Sequence, residues 1–318
     1  MRLQSIQTID VARLPDRTFD LRGRTGTPAS LVFVTGPTGS GKTLLLDVIA
    51  AAKETVAPYG GRPEVRRFTK DANTGAKVVL EWALSESDRA RFPGVERTST
   101  ETMWGGRLGL PPENDQHLLD LLGSYEPEVA RSKVEYFRAD RALPAGTSVG
   151  GRRNRRFERM ALEDNGKYDG LDGWVTDLCM EGIARVGANQ PPSIELARFA
   201  RAFALVCGTV TFQGIVKTRD GMEPGFRRGA DDIALSGLSH GEKQAFLFAA
   251  HMCRSTVTDS LVLVDSPETM MDPSTLVQFV KGLTEIALAN QFIIATAHRA
   301  LVREFTNDSV HIDLGVPR

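Results

Sequence analysis

Eight consecutive residues constrain this chain more than any others: Gly36-Pro37-Thr38-Gly39-Ser40-Gly41-Lys42-Thr43 satisfies G-x-x-x-x-G-K-[ST] at every specified position. The octapeptide follows an apolar run, Leu31-Val32-Phe33-Val34, of the buried parallel-strand kind, and precedes a helical pattern from Lys42 to about Lys53. Strand, glycine-rich loop and helix in that order make a phosphate cradle. The glycines let successive N–H groups turn toward a β-phosphate, and the helix adds the positive end of its dipole. Lys42 is expected to bridge the β- and γ-phosphates and Thr43 to hold Mg²⁺. A glycine-rich turn without chemical meaning is the bland alternative, and the strand–loop–helix context argues against it. A P-loop alone does not separate kinases, GTPases and ATPases, so a second motif has to decide.

The chain has 318 residues, 41% hydrophobic and 25% charged, the balance of a soluble globular protein with room for one large or two ordinary domains. A formal net charge of −1 excludes global attraction to nucleic acid or anionic membrane, leaving only a local patch for such binding. Cys179, Cys207 and Cys253 form no CxxC pair, which points away from a disulfide framework or thiolate zinc site and toward a reducing cytoplasm. The first residues lack an apolar leader core, and runs such as Phe292 to Ala297 are too short to span a bilayer, so no membrane segment is expected.

Along the chain, residues 2 to 21 read as two short strands around Leu14-Pro15-Asp16, and Lys77 to Trp82 as a strand. Arg97 to Gln116, rich in Thr, Gly and Pro, reads as irregular, an inserted or mobile loop. Val134 to Phe137 is a strand, followed by a Gly/Arg-rich stretch from 146 to 156 and helical patterns near 157–180 and 191–206. Val210 to Lys217 and the apolar positions before Leu238 flank a hairpin turn at Arg219-Asp220-Gly221. Helix 241–254, strand 261–264, helix 274–289 and strand 292–296 make an alternating β/α ending.

Four segments then choose a class. Leu238-Ser239-His240-Gly241-Glu242-Lys243-Gln244 stands before a helix and resembles the ABC signature. A Ser N-cap with Glu at N3, a capping box, is the equally weighted local reading. Leu261-Val262-Leu263-Val264-Asp265 has the Walker B pattern, with Asp265 placed to hold Mg²⁺. Ser266-Pro267-Glu268-Thr269-Met270-Met271-Asp272-Pro273 is similar to the D-E-P-E-x-x-L-H/D-P segment of the same class, and Phe292 to His298 is a strand ending in a histidine. Together with the P-loop, these segments resemble ABC-class ATPase heads, and within them the RecF, SMC and overcoming-lysogenisation-defect group of AAA family ATP-binding proteins.

The resemblance spans residues 2 to about 314 but is specific only at the P-loop and from 238 to 298. It implies an α/β P-loop NTPase head with a mixed sheet core and a helical lobe. The core lobe would take about 1–142 and 258–318, and the helical lobe, presenting the signature, about 143–257. No long coiled coil is expected, and the stretch from Gly36 to Ser239 is longer than in transporter heads. Two heads would sandwich ATP and Mg²⁺. Gly36 to Thr43 would hold the phosphates, while Ser239, Gly241 and Glu242 would meet the γ-phosphate of the partner head. Asp272 would face that partner, and His298 would sense the γ-phosphate. Lys42, Glu268 and His298 are the candidate catalytic residues, with Thr43 and Asp265 the metal ligands.

Two departures matter. The general base of the family directly follows the Walker B Asp, and here that position is Ser266, which cannot accept a proton from water near neutral pH. The nearest following carboxylate is Glu268, so either it or the polar shell with His298 orients the water, or ATP chiefly holds a dimer closed. In place of the Q-loop glutamine stand Ala139-Asp140-Arg141, making Asp140 or Arg141 candidates for a metal or phosphate contact.

Weaker signals have bland readings. Arg152, Arg153, Arg155, Arg156 and Arg159 suit a phosphate backbone but read first as a solvated loop. Arg227-Arg228 extends that surface or faces water, and Trp82, Trp104 and Trp174 cover core. His117, His251 and His311 read as ordinary residues. The expectation is an ATP-hydrolysing clamp, a homodimer through the nucleotide, working with a separate effector protein in defence or genome surveillance. The alternatives are an ATPase acting directly on nucleic acid, a non-hydrolysing scaffold, and, last, a transporter subunit.

Overall fold

A computed structural model describes the chain apart from residues 61–62, 71–74, 106–111, 144–161, 163, 220, 287–288 and 316–318. The arginine cluster 152–159 lies outside the described residues.

Strands β1 (Arg2–Ile9) and β2 (Arg17–Asp20) pair antiparallel, with Ile6 opposite Phe19. Strand β3 (Leu31–Thr35) is buried at every position and runs through the P-loop into helix α1 (Lys42–Val56). Strand β4 (Ala76–Ala83) alternates buried and accessible positions and pairs with β1. Helix α2 (Glu86–Arg91) leads to β5 (Ser99–Trp104), which pairs with β4 and completes a four-stranded antiparallel sheet ordered β2-β1-β4-β5. The expectation that 97–116 is irregular therefore fails at its beginning. Ser99–Trp104 alternates, burying Thr100, Thr102 and Trp104, and this short period-2 pattern was hidden by its threonines.

Helix α3 (Gln116–Gly123) precedes β6 (Val134–Phe137). Helices α4 (Leu171–Gly187) and α5 (Ile194–Val206) follow, then a three-stranded antiparallel meander of β7 (Thr211–Lys217), β8 (Met222–Arg228) and β9 (Asp231–Ala234). Helix α6 (His240–Arg254), β10 (Leu261–Asp265), α7 (Pro273–Ile286), β11 (Gln291–Ala295), α8 (Arg299–Glu304) and β12 (Val310–Asp313) end the chain. Five strands form an all-parallel sheet ordered β12-β3-β11-β10-β6. Parallel and antiparallel strands thus occupy separate sheets.

The parallel sheet has two covered faces, which is why its strands read as unbroken apolar runs. Val32, Val34, Leu261, Leu263 and Ile293 join one core with α1 and the four-stranded sheet. Their neighbours Leu31, Phe33, Val262, Val264 and Ile294 join a second core with α4, α5, α6 and α7. Helix α1 lies between two sheets, and from Leu45 to Glu54 every residue is buried. On the other face α5 and α7 cross so closely that a Cβ on Gly282 would collide with the backbone carbonyl of Leu205. Backbone cannot move aside like a side-chain tip. Gly282→Ala is therefore expected to cost about 1–3 kcal/mol, read as a lowered urea midpoint with an unchanged slope.

Candidate nucleotide site

The C-terminal ends of β3, β10 and β11 lie side by side, and the loops leaving them carry Gly36 to Thr43, Asp265 to Asp272 and Thr296 to His298. Loops at this edge of an open parallel sheet are where α/β folds bind ligands. The P-loop conformation depends on glycine: Gly36, Gly39 and Gly41 have φ of 150°, 82° and 96°. A Cβ at Gly36 would strike Ser40 Oγ, and Ser40 Oγ is itself buried without a partner. No side chain caps the N-terminus of α1, leaving its N–H groups open to an anion. Lys42 Nζ curls over the loop and donates to the carbonyls of Gly36 and Pro37, each at 2.9 Å. Pro37 and Thr38 complete the loop.

Thr43 Oγ1 donates to Asp265 Oδ1 at 3.1 Å, joining residues far apart in sequence. Ser266 Oγ donates to the same oxygen at 3.0 Å. Burial pushes Asp265 above the ordinary carboxylate range, hydrogen bonds from Thr43 and Ser266 pull the other way, and nearby Asp47 adds to the rise. A hydroxyl and a carboxylate at this spacing are hard oxygen donors that suit Mg²⁺, whose charge would restore the ionised Asp265. The donor set therefore fits that ion. Asp47 is held by Tyr136 Oη at 2.7 Å, and the sequence signal for it was an acid inside an otherwise apolar helical run.

Ser266 adopts a left-handed conformation, φ 46° and ψ 59°, uncommon for a residue with a Cβ. The chain then turns into the 3-10 segment Pro267–Met270. Glu268 Oε1 accepts from Ala297 N at 2.7 Å, tying the loop after β10 to the loop after β11. Next to it, His298 Nδ1 accepts from Leu301 N at 3.1 Å. With Nδ1 an acceptor, the neutral ring carries its proton on Nε2, making that atom a donor. Glu268 and His298 are thus brought to one edge.

The signature segment takes its local reading in full. Ser239 caps α6 by accepting from Glu242 N, and Glu242 Oε2 accepts from Ser239 N at 2.8 Å, a complete capping box. Glu242 also accepts from Thr209 Oγ1 at 2.8 Å and pairs with Arg228 at 2.5 Å. Ser239 and His240 are exposed, with Gly241 half-buried behind them. Asp272, also exposed, accepts from Ser274 and Thr275 at the start of α7, and these bonds hold it well below the usual carboxylate range. Among the described residues no hydrogen bond joins Ser239, Gly241, Glu242 or Asp272 to the P-loop.

The Q-loop candidates separate. Asp140 is exposed and pairs with Arg138 at 2.9 Å, whereas Arg141 is fully buried and donates to the carbonyl of Asp265 at 2.8 Å. Arg227 and Arg228 are paired, with Asp232 and Glu242 respectively. Trp82 and Trp104 are buried. Sequence reading also passed over Glu135, an acid within the apolar strand Val-Glu-Tyr-Phe. It accepts from Tyr125 Oη at 2.8 Å, bonds His251 Nε2 at 3.1 Å and lies 4.0 Å from Lys167 Nζ.

The fold is that of an ABC-type P-loop NTPase head, and among the described residues there is no long coiled coil. Among solved structures it is similar to an SMC head bound to the C-winged helix domain of ScpA, with a TM-score of 0.54, 12% identity, and 95% of this chain and 92% of that chain covered. It is also similar to the SMC head domain from Thermotoga maritima, with a TM-score of 0.46, 15% identity and coverage of 95% and 92%. A Smc head with an extended coiled coil, bound to the C-terminal domain of ScpA derived from Pyrococcus furiosus, gives a TM-score of 0.49, 14% identity and coverage of 95% and 91%. No protein-family model matches the chain, and no curated protein matches it in sequence. No helix among the described residues is long and apolar enough to cross a membrane.

Proposed function

We propose that this chain is an ATPase of the RecF, SMC and overcoming-lysogenisation-defect group that binds ATP and Mg²⁺ and closes head to head with a second copy. The carrying observation is the 3.1 Å bond between Thr43 of the P-loop and Asp265 at the end of β10, with Lys42 beside them and Glu268 and His298 on the adjoining loops. Gly36 to Thr43 take the phosphates, and Thr43 with Asp265 hold the ion. An Mg²⁺ ion held by these two residues would supply positive charge against the phosphates. Glu268 accepts a proton from water as the water oxygen bonds to the γ-phosphorus and the bond to the β-phosphate oxygen breaks, giving ADP and phosphate. His298 Nε2 donates to a γ-phosphate oxygen.

The exposed α6 N-terminus supports the dimer, because an N-cap serine on an open helix end can meet a phosphate held by another copy while keeping its cap. The two-lobe division, with Asp272 facing the partner head, belongs to this reading. So do a cytoplasmic location and a separate effector protein. The SMC head bound to the C-winged helix domain of ScpA supports a protein partner by analogy. Ser266 favours a second reading, in which ATP is a clasp and no phosphate is released.

ATP turnover and solution mass, with and without ATP, test the proposal. Wild type is expected to pass from monomer to dimer with ATP and to release phosphate. Ser239→Arg is expected to bind ATP as a monomer and lose turnover, since its bulk meets the other copy. An ATP-bound Ser239→Arg dimer would reject the head-to-head arrangement. Dimerisation of wild type without phosphate release would leave the clasp.

A further inference from the structure

A buried arginine next to the Walker B strand has unused hydrogen-bonding capacity. Arg141 stands where the chain turns after β6, fully buried, its guanidinium 5.3 Å from the ring centroid of Phe248 on α6. One terminal nitrogen donates to the carbonyls of Arg138 and Asp265, at 2.6 and 2.8 Å. Its Nε and its other terminal nitrogen are buried with no partner. Arginine does not discharge in proteins, so these N–H groups carry positive charge in a dry place, where unpaired donors are rare and costly.

The complement lies on the loop leaving β10. Glu268 Oε2 is buried and has no partner, while Oε1 is held by Ala297 N. Asp265 is a poorer complement, because its Oδ1 already serves Thr43 and Ser266. Gln244 Oε1 and Tyr168 Oη are also buried without partners, but neither carries charge to balance a guanidinium. Burial disfavours the Arg141 charge, and the charges that favour it include Asp265 and Glu268. Gln244, on α6, donates from Nε2 to the Arg141 carbonyl at 3.4 Å. The arginine turn therefore sits between the helix headed by Ser239 and the loop carrying Glu268.

We propose that Arg141 is a positioning residue for Glu268: its unpartnered N–H groups are the charge complement of the unpartnered Oε2, and their attraction orients the carboxylate that stands in for the one missing at position 266. This rests on the ATPase reading above. An arginine suits this place better than a lysine, since one terminal nitrogen serves two carbonyls and Nε and the other terminal nitrogen remain to face a carboxylate.

The test is steady-state ATP turnover by the full chain for wild type, Lys42→Ala, Arg141→Lys, Glu268→Gln and Arg141→Lys/Glu268→Gln. Glu268→Gln is expected to lower kcat on the order of 100-fold. Arg141→Lys is expected to lower kcat by about 10-fold, with KM for ATP unchanged within about twofold, and to add nothing in the double variant. Gln244→Met leaves the arginine in place and frees its turn; it serves if Arg141→Lys does not melt cooperatively. It is expected to lower kcat by about threefold in wild type and not at all in Glu268→Gln. Multiplying losses in the double variants, or a raised KM with kcat retained, overturn the positioning role. Turnover that survives Lys42→Ala rejects the ATPase reading itself, a result distinct from failure of the arginine proposal alone.

Discussion

Lys42→Ala is expected to weaken ATP binding on the order of 1000-fold, because truncating one partner of a desolvated charge contact costs about 4 kcal/mol. The ammonium lies over the loop whose N–H groups form the cradle, donating to Gly36 and Pro37. A phosphate entering that cradle meets it directly. The fold should be little affected, since the lysine is only half-buried and the loop shape is set by glycine conformations and the Ser40–Pro37 backbone bond. Calorimetric titration with ATP, alongside a thermal melt, separates the two effects. ATP affinity within about threefold of wild type, with the melt unchanged, would place the phosphates elsewhere.

Glu135→Ala is expected to cost about 3–5 kcal/mol of stability, because it removes the buried acid that faces Lys167, His251 and Tyr125. Burial alone would raise the Glu135 carboxyl; His251, Lys167 and Tyr125 outweigh it and hold the group at about 2, from an ordinary 4.5. His251 is itself pushed below 6.5, chiefly by burial, so at neutral pH it contributes an N–H bond and Lys167 contributes the charge. Burial lowers Lys167 to about 8, which leaves it protonated at pH 7. Without Glu135 that ammonium keeps, among the described residues, its hydrogen bonds to the carbonyls of Tyr136 and Leu162 and the faces of Phe137 and Tyr168.

The pH dependence has a definite sign. Glu135 binds a proton more readily in the unfolded chain between about 2 and 4.5, and His251 does so just below 6.5, so each makes stability fall as pH falls through its window. Urea midpoints from pH 7 to 3 should fall more steeply for wild type than for Glu135→Leu/His251→Leu. Parallel curves would show that the pair does not set the acid sensitivity. The pair bonds β6 to α6 near the end opposite Ser239. Its loss should therefore loosen the helix that Ser239 caps.

Strong periodic or continuous patterns were legible in the sequence. Leu31–Thr35 and Leu261–Asp265 are apolar throughout because both faces of their sheet are covered, and each ends at a chemically marked residue. The β7–β8 hairpin and the capping box at Ser239 follow from local turn and cap chemistry. Strands β5 and β12 were missed because edge strands rich in threonine or charge carry little hydrophobic signal. Asp140 and Arg141 could not be told apart, since neighbouring residues of one turn point into different surroundings.

By itself, then, the sequence determined the glycine-rich loop after β3, the order of the motifs and the Ser at 266 with an acid at 268, because each is written in contiguous residues whose backbone needs are local. Only the tertiary structure decided which distant groups meet. It put Thr43 on Asp265, turned Glu268 toward Ala297 through the left-handed Ser266, buried Arg141 against the end of β10, and joined Glu135 to His251. Those pairings depend on strand order and on which face of the sheet each helix covers. Both are outcomes of burying two separate cores at once, and no single segment encodes them.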